Sequence, residues 1–245
     1  MSAFLMTLLA GMSTGVGSLI AFFSKKTNQK FLVASLGFSA GVMIYVSMIE
    51  LFQTAKSLLS GQIGSTAASH LSAVSFFVGI LLIALIDRMI PEQKNPMVRT
   101  GAVTAIAIGI HNFPEGLATF VSAHQEPEIA IPIVVAIAIH NIPEGVAVSV
   151  PIYHATGSKK KAFGYSVLSG LFEPVGALIG WFLLMPVMNM VVYGCIFALI
   201  AGIMVFISVD ELLPAASECG EHHVSVYGMV AGMFVMAVSL ELFRI

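Results

Sequence analysis

Long apolar runs alternate with short polar segments along the whole chain. Each run is about twenty residues long, which is the length that an α-helix needs to cross a bilayer core of about 30 Å. Because the polar segments are short, consecutive helices are expected to be antiparallel neighbours in one compact bundle. The pattern predicts eight membrane-spanning helices, at approximately Ala3–Phe23, Phe31–Phe52, Leu71–Ile90, Gly101–Ala123, Ile129–Ile152, Ala162–Leu184, Met190–Leu212 and Ser225–Phe243.

The composition supports this interpretation. Hydrophobic residues make up 58% of the chain and charged residues 10%, whereas soluble domains carry about 25% charged residues. The predicted fold class is all-α, a polytopic membrane helix bundle, with one transmembrane domain over residues 1–245 and no separate soluble domain. The apolar start precedes the first lysines, so we expect a retained helix and not a cleaved signal peptide. A net charge of −2 indicates no nucleic-acid partner.

Basic residues are distributed unevenly between the two sides of the predicted bundle. Only Lys56 and Arg244 fall on the side that is reached after even-numbered spans. By the positive-inside rule, the other side faces the cytoplasm, and both termini lie outside. We expect the protein in the cell (inner) membrane, surrounded by lipid. The basic residues that follow spans 1, 3 and 5 are Lys25, Lys26, Lys30, Arg88, Lys94, Arg99, Lys159, Lys160 and Lys161.

Two pairs of spans repeat in sequence. AGVMIYVSMIEL (Ala40–Leu51) in span 2 aligns with AGIMVFISVDEL (Ala201–Leu212) in span 7, and LAGMSTGVGSLIAFF in span 1 aligns with LSGLFEPVGALIGWF in span 6. Spans 1 and 6 run in opposite directions, so residues of about 3–90 and 162–243 form an inverted repeat. The central pair at about 101–152 completes a 3+2+3 arrangement. Inverted repeats are typical of transporters with a midplane site.

A polar motif interrupts spans 4 and 5. The chain reads GIHNFPEG in span 4 and AIHNIPEG in span 5. Ionisable residues at membrane depth are costly and therefore mark a functional site. The i, i+4 spacing puts His111 and Glu115 on one face of a helix, and His140 and Glu144 likewise.

Prolines and a third acid extend this polar region. Pro114 and Pro143 lack an N–H group, so each leaves a helix carbonyl without its usual donor. Such carbonyls are tolerated at membrane depth where protein, water or an ion contacts them. Glu173 lies in span 6 beside Pro174 and adds another buried carboxylate.

These side chains predict a divalent-cation site. Mixed imidazole, carboxylate and amide ligands suit Zn²⁺ and also accept Fe²⁺, Mn²⁺ or Co²⁺. Three carboxylates could bridge two bound ions. The alternative is a set of His–Glu hydrogen bonds that only hold helices together. The candidate ligands are His111, Asn112, Glu115, His140, Asn141, Glu144 and Glu173.

The doubled HNxPEG motif, together with SLGFSAGVM in span 2, IDRMIP after span 3 and SVDELLP in span 7, resembles the ZIP family of divalent-metal transporters. The similarity is greatest to its bacterial zinc-uptake branch, the ZupT type. The resemblance implies eight spans, both termini outside and metal flow into the cytoplasm. It also implies one ion on His111, Glu115, His140 and Glu144, and a second by Asn112, Asn141 and Glu173.

Five further residues could lie on a metal pathway. Met43 falls where some relatives supply a soft ligand, but a methionine in an apolar span also serves packing. Glu50 and Asp210 could line the pathway or simply be solvated helix ends. His222 and His223 could receive metal at the exit or belong to an ordinary polar loop.

We therefore expect a secondary importer of Zn²⁺, with Fe²⁺, Mn²⁺ or Co²⁺ as further substrates. The ion is the transported substrate, and no cofactor is expected. The nucleotide-binding pattern GxxxxGK[ST] is absent, which argues against an ATP-driven pump. An intramembrane metalloenzyme is the first alternative, although HExxH is absent, and a metal sensor is the second. The small faces at Gly11, Gly15 and Gly17 could pack within the chain or between protomers of a homodimer.

Overall fold

The computed structural model describes residues 3–23, 28–89, 95–125, 127–184 and 189–242. These residues form helices and no strands, so the predicted all-α fold class is confirmed. The helices are α1 (Ala3–Phe23), α2 (Gln29–Ile63), α3 (Ser65–Met89), α4 (Pro96–Gln125), α5 (Pro127–Thr156), α6 (Lys159–Ile179, continued by a π-helical turn at Gly180–Leu184), α7 (Met190–Ser217) and α8 (His222–Leu242).

Each predicted span coincides with one of these helices. On their described residues, α2, α3, α6, α7 and α8 are long and apolar enough to cross a membrane, so the polytopic prediction is confirmed. The largest difference is in α2, which continues past the predicted end at Phe52 to Ile63. This extension is less apolar, but Ala55 and Leu59 are buried on one face of it. Several residues named above, Lys25, Lys26, Lys94 and Arg244, lie outside the described residues.

The helix ends carry capping residues that explain their positions. The side chains of Asn28, Ser158 and Asn189 accept hydrogen bonds from the first turns of α2, α6 and α7, which satisfies N–H groups that have no partner inside a helix. Gly64 and Gly157 follow α2 and α5 with φ angles of 81° and 69°. Only glycine adopts this left-handed conformation without a steric cost.

The helices are grouped into two bundles of four. The first bundle contains α1, α4, α5 and α6, and the second contains α2, α3, α7 and α8. The two bundles meet mainly where α2 packs on α5 and α7 packs on α4. The expectation that all consecutive helices are neighbours is therefore wrong for α1–α2, α3–α4 and α6–α7. At these three connections the chain passes from one bundle to the other.

Close contacts of glycines with neighbouring backbones hold each bundle together. A Cβ atom on Gly17 of α1 would overlap the carbonyl oxygen of Ile142 in α5, and a Cβ atom on Gly41 of α2 would overlap that of Met229 in α8. Small residues of this kind let membrane helices approach closely. Every such contact of the described glycines joins helices of the same bundle.

The same packing occurs twice in the molecule. Gly17 and Gly176 occupy aligned positions of the repeat, and both contact the carbonyl at the variable position of an HNxPEG motif. Gly41 and Gly202 are also aligned, and they contact α8 and α3 respectively. The origin of these matched halves by duplication stays a prediction. The paired contacts are Gly17–Ile142 with Gly176–Phe113, and Gly41–Met229 with Gly202–Phe76.

The face of α1 that carries three glycines packs inside the chain. Gly11 contacts Gly170 of α6, Gly15 contacts Val167 of α6, and Gly17 contacts α5. Of the two alternatives for this face, the structure shows packing within the protomer. A homodimer stays a prediction, and it would have to use another surface.

The interface between the bundles is largely apolar. The main buried hydrophobic cluster of the described residues draws its side chains from α2 and α7 on one side and from α4 and α5 on the other. Hydrophobic contacts are non-directional, so they stabilise such an interface without fixing a single register. Typical members are Leu36, Met43, Val103, Val146, Ile203 and Met204.

Helices α2 and α7 each contain one π-helical segment. The segments are Val46–Leu51 and Ile207–Leu212, which occupy aligned positions of the repeat. Just at their start, the hydroxyls of Ser47 and Ser208 donate to the carbonyls of Met43 and Met204, at 2.6 and 2.8 Å. Such side-chain bonds compete with the helix backbone, and π-segments are frequent at functional sites.

Candidate metal centre

The two HNxPEG motifs face each other in the middle of the first bundle. Each lies within a continuous helix, α4 or α5, and the two helices pack side by side. The rings of His111 and His140 are 6.1 Å apart between centroids. The two copies of the motif therefore lie opposite each other, one on α4 and one on α5.

Glu115 connects the two histidines. Its Oε1 atom lies 2.8 Å from Nε2 of His140, and its Oε2 atom lies 3.0 Å from Nε2 of His111. From the other helix, Oε1 of Glu144 lies 3.5 Å from the same His111 nitrogen. All four predicted ligands of the first ion thus belong to one continuous group.

Three of these side chains lie close enough together to be candidates for binding one ion. Ligand atoms of His111, His140 and Glu144 lie within 4.8 Å of one another. Ligands at the usual zinc distances of roughly 2.0–2.2 Å can be at most about 4 Å apart. Small side-chain rotations would therefore be enough to bring these atoms onto one ion.

A second polar group adjoins the first and involves the two asparagines. Nδ2 of Asn141 donates to Oε2 of Glu173 at 2.9 Å and to the carbonyl of Ala10 at 3.1 Å. Nδ2 of Asn112 donates to the carbonyl of Ser169 at 3.2 Å. Because both amide nitrogens are used in this way, both amide oxygens are left as acceptors.

The buried acceptors of this region lack donors. These oxygen atoms are inaccessible to solvent and have no hydrogen-bond partner among the described residues. An unsatisfied buried polar group costs about 1–3 kcal/mol, so a cluster of them fits a site that binds cations. They are Oδ1 of Asn112, Oδ1 of Asn141, both carboxylate oxygens of Glu144 and Oε1 of Glu173.

Known proteins match this chain along most of its length. The sequence model described as ZIP zinc transporter matches residues 91–240. Zinc transporter ZupT of Streptococcus mutans serotype c is 64% identical, covering 99% of this chain and 97% of the relative. Zinc transporter ZupT of Clostridium perfringens is 58% identical, covering 98% and 95%. The corresponding protein of Oceanobacillus iheyensis is 55% identical, covering 98% and 97%.

This chain belongs to the ZIP zinc transporter family. Members of that family are transporters and not enzymes, which removes the metalloenzyme alternative. The resemblance that was based on the doubled motif is confirmed. The ligand roles of the individual residues stay predictions, which the geometry above supports.

The second bundle of this ZIP family member also contributes a carboxylate near the centre. Glu50 lies in the π-segment of α2, near enough to His140 and Glu115 for electrostatic interaction. Its Oε2 atom is buried and has no hydrogen-bond partner among the described residues. Of the two readings of Glu50, a place beside the metal pathway fits this position better than simple helix-end solvation.

Met43 is packed in the apolar interface of the two bundles, 1% exposed. Met204, at the aligned position of α7, belongs to the same hydrophobic cluster. The structure therefore gives Met43 a packing role, and its role as a soft ligand in this ZIP chain stays a prediction.

The other predicted pathway residues lie apart from the His/Glu centre. Asp210 is exposed and forms a separate acidic group with Asp87 and Glu211. His222 and His223 are exposed at the start of α8, with their rings 5.7 Å apart. The structure does not bring them to the centre described above.

Sequence reasoning missed one polar cluster in this ZIP chain. Arg99 of α4 forms ion pairs with Asp87 of α3 and with Glu211 of α7. In the sequence, Arg99 is recognisable only as one of the basic residues that indicate the orientation of the chain in the membrane. The signal that could have revealed the cluster is the repeat, because Glu211 aligns with Glu50.

Proposed function

We propose that this protein carries Zn²⁺ across the inner membrane into the cytoplasm, and that the ion binds between α4 and α5 on the way. The observation that carries the proposal is the buried group of two histidines and three carboxylates with unpartnered oxygens. Its relatives named zinc transporter ZupT support the same substrate.

The donor set favours a borderline divalent ion. His111 and His140 supply imidazole nitrogens, and Glu115 and Glu144 supply carboxylate oxygens, a combination that Zn²⁺ prefers. Fe²⁺, Mn²⁺ and Co²⁺ accept the same ligands, so we expect them to compete. The amide oxygens and Glu173 would hold a second ion through harder oxygen ligands.

The inward direction that we propose rests on the resemblance to the ZIP family. By the positive-inside rule we expect the ends of α1, α3 and α5 in the cytoplasm and both termini outside. Glu50 of α2 would then attract a hydrated cation before it reaches the His/Glu centre. The ion would lose its water as the ligands of α4 and α5 replace it.

The packing changes the moving unit that we propose. The 3+2+3 arrangement by itself would favour a motion in which the two helix triplets rock against the central pair. However, α4 and α5 are tied to α1 and α6 by glycine contacts, while the boundary to the second bundle is largely apolar. We infer that the first bundle moves as one body along this boundary and takes the ion with it, a shear-type motion.

Zinc uptake into liposomes that contain the purified protein tests this function. The unmodified protein should take up zinc, and Glu144→Gln should reduce uptake at least about tenfold, because it removes a carboxylate ligand from the centre of the buried group. Glu218→Gln is the matched control, since Glu218 is an exposed carboxylate at the end of α7. Absence of uptake by the unmodified protein, or full uptake by Glu144→Gln, would refute the proposal.

A further inference from the structure

Arg99 links the two bundles at the end of the molecule where α3 ends and α4 begins. Its Nη2 atom donates to Oδ1 of Asp87 at 2.7 Å, and its Nη1 atom donates to Oε1 of Glu211 at 2.9 Å. Arg99 belongs to the first bundle, and both carboxylates belong to the second. One guanidinium therefore ties α4 to α3 and α7 together.

This link differs from an ordinary surface ion pair. The side chains of Asp87 and Glu211 are only 14% and 5% exposed, and that of Arg99 is 29% exposed. By contrast, Lys30 and Glu221 are 3.9 Å apart and 74% and 39% exposed. Short, shielded, charge-assisted bonds are strong and geometrically specific, whereas exposed pairs contribute little.

The guanidinium keeps its charge in this position. The hydrogen bond with Asp87 raises the pKa of Arg99 above its ordinary value. The link therefore does not depend on the titration of Arg99, and movement of the bundles or competition for its carboxylates can break it.

In the sequence repeat, the acid of the cluster has a counterpart but the arginine does not. Glu211 aligns with Glu50. Counting back from the motif histidines, the position of α5 that corresponds to Arg99 of α4 holds Glu128. The two motif helices therefore carry residues of opposite charge at this position.

We propose that Arg99 is an ionic latch that holds the first bundle against the second at this end and opens once in each transport cycle. Elsewhere the described boundary is mostly apolar. One buried hydrogen bond also crosses it, from the Ser39 hydroxyl of α2 to the Pro143 carbonyl of α5 at 2.9 Å, and the ion pairs of Arg99 add a charged contact at the end of the molecule. Its role in a cycle rests on the proposed function, but the latch itself is defined by whether its removal lets the two bundles move relative to each other.

A reporter cysteine buried in the boundary measures this movement directly, because it can be labelled only when the movement exposes it to water. Val103 is fully buried in the apolar boundary, one helical turn from Arg99. Val103→Cys is placed in a Cys195→Ser/Cys219→Ser background, and its labelling by a water-soluble maleimide is timed in liposomes. Arg99→Gln and, separately, Glu211→Gln should raise the labelling rate at least about fivefold, the lower range of coupling between conformations.

Two further variants separate the latch from other causes. Lys30→Gln removes an ion pair that joins parts of the same bundle, so labelling should not change. The triple variant Asp87→Asn/Arg99→Gln/Glu211→Gln leaves no charge of the cluster unpaired, and its labelling should stay as fast as in the single variants. Unchanged labelling in Arg99→Gln, or a return to the original rate in the triple variant, would overturn the latch.

Zinc measurements on the same proteins distinguish the two proposals. Zinc bound at equilibrium should be unchanged in Arg99→Gln, whereas the maximal uptake rate should change severalfold with little change in KM. If labelling responds but the unmodified protein does not transport, the latch stands and the proposed function fails. If the unmodified protein transports zinc and Arg99→Gln does not change the labelling rate, the latch is refuted and the proposed function stands.

Discussion

Gly116→Ala probes the contact that places the third acid beside the metal centre. Gly116 follows Glu115 in α4, and its Cα lies against the backbone of Glu173 in α6. A Cβ atom there would overlap the carbonyl oxygen and the Cα of Glu173. These are backbone atoms, so the strain can be relieved only by moving α6 away from α4.

The magnitude follows from comparison with a second glycine. Gly164→Ala in α6 adds the same methyl group at an exposed helical position with no atom within 4 Å. Both substitutions gain about 1 kcal/mol in helix propensity. The difference in stability between the two variants therefore measures the cost of the overlap alone. Overpacking costs about 1–3 kcal/mol, which corresponds to a difference in Tm of roughly 2–12 °C for a chain of this size.

Thermal unfolding in one detergent, followed by a thiol-reactive dye, measures this difference. Gly164→Ala should unfold at or slightly above the temperature of the unmodified protein, and Gly116→Ala clearly below Gly164→Ala. Because displacement of α6 also moves Glu173 from Asn141, Gly116→Ala should bind less zinc at saturation. Equal Tm values for the two variants, with equal zinc bound, would refute the packing argument.

Three other predictions concern the ions themselves. Histidine and carboxylate ligands bind metal only when deprotonated, so uptake should fall as the pH drops below about 6.5, where histidine ordinarily titrates; a flat profile of initial rates between pH 5 and 8 would contradict this. Glu50→Gln should raise the KM for zinc severalfold in liposome uptake, because the charge that faces His140 is lost, whereas an unchanged KM would remove Glu50 from the pathway. Met43→Leu should weaken binding of soft Cd²⁺ about tenfold in calorimetry if its sulfur is a ligand, while Met204→Leu should not, and equal affinities would leave Met43 with packing alone.

The sequence predicted which polar residues come together in the candidate metal centre, because such residues are costly in a membrane. A chain that places His111 and Glu115 inside an apolar run must provide polar partners for them within the membrane. The second copy of the motif supplies these partners. The contact of Glu115 with both histidines is the geometry that this reasoning predicts. Glu173 was found in the same way, and its hydrogen bond with Asn141 puts it beside the pair.

The grouping of the helices could not be predicted in this way, because an apolar run can pack against any other apolar run. Chain order suggested that α1 packs on α2, yet the decisive contacts are backbone approaches at glycines such as Gly17 and Gly176. Glycine is frequent in all membrane helices, so its presence alone does not name a partner.

The cluster of Arg99 shows how the repeat could have been used further. Alignment of Glu50 with Glu211 places one carboxylate in each π-segment, and an inverted repeat places the two at opposite ends of the boundary. At one end Arg99 pairs with the acid of α7, whereas the position of α5 that corresponds to Arg99 in sequence holds Glu128. The acid of α2, Glu50, keeps a buried carboxylate oxygen with no hydrogen-bond partner among the described residues. A near-symmetric scaffold therefore carries two aligned acids in different environments, one paired with an arginine and one beside the His/Glu centre.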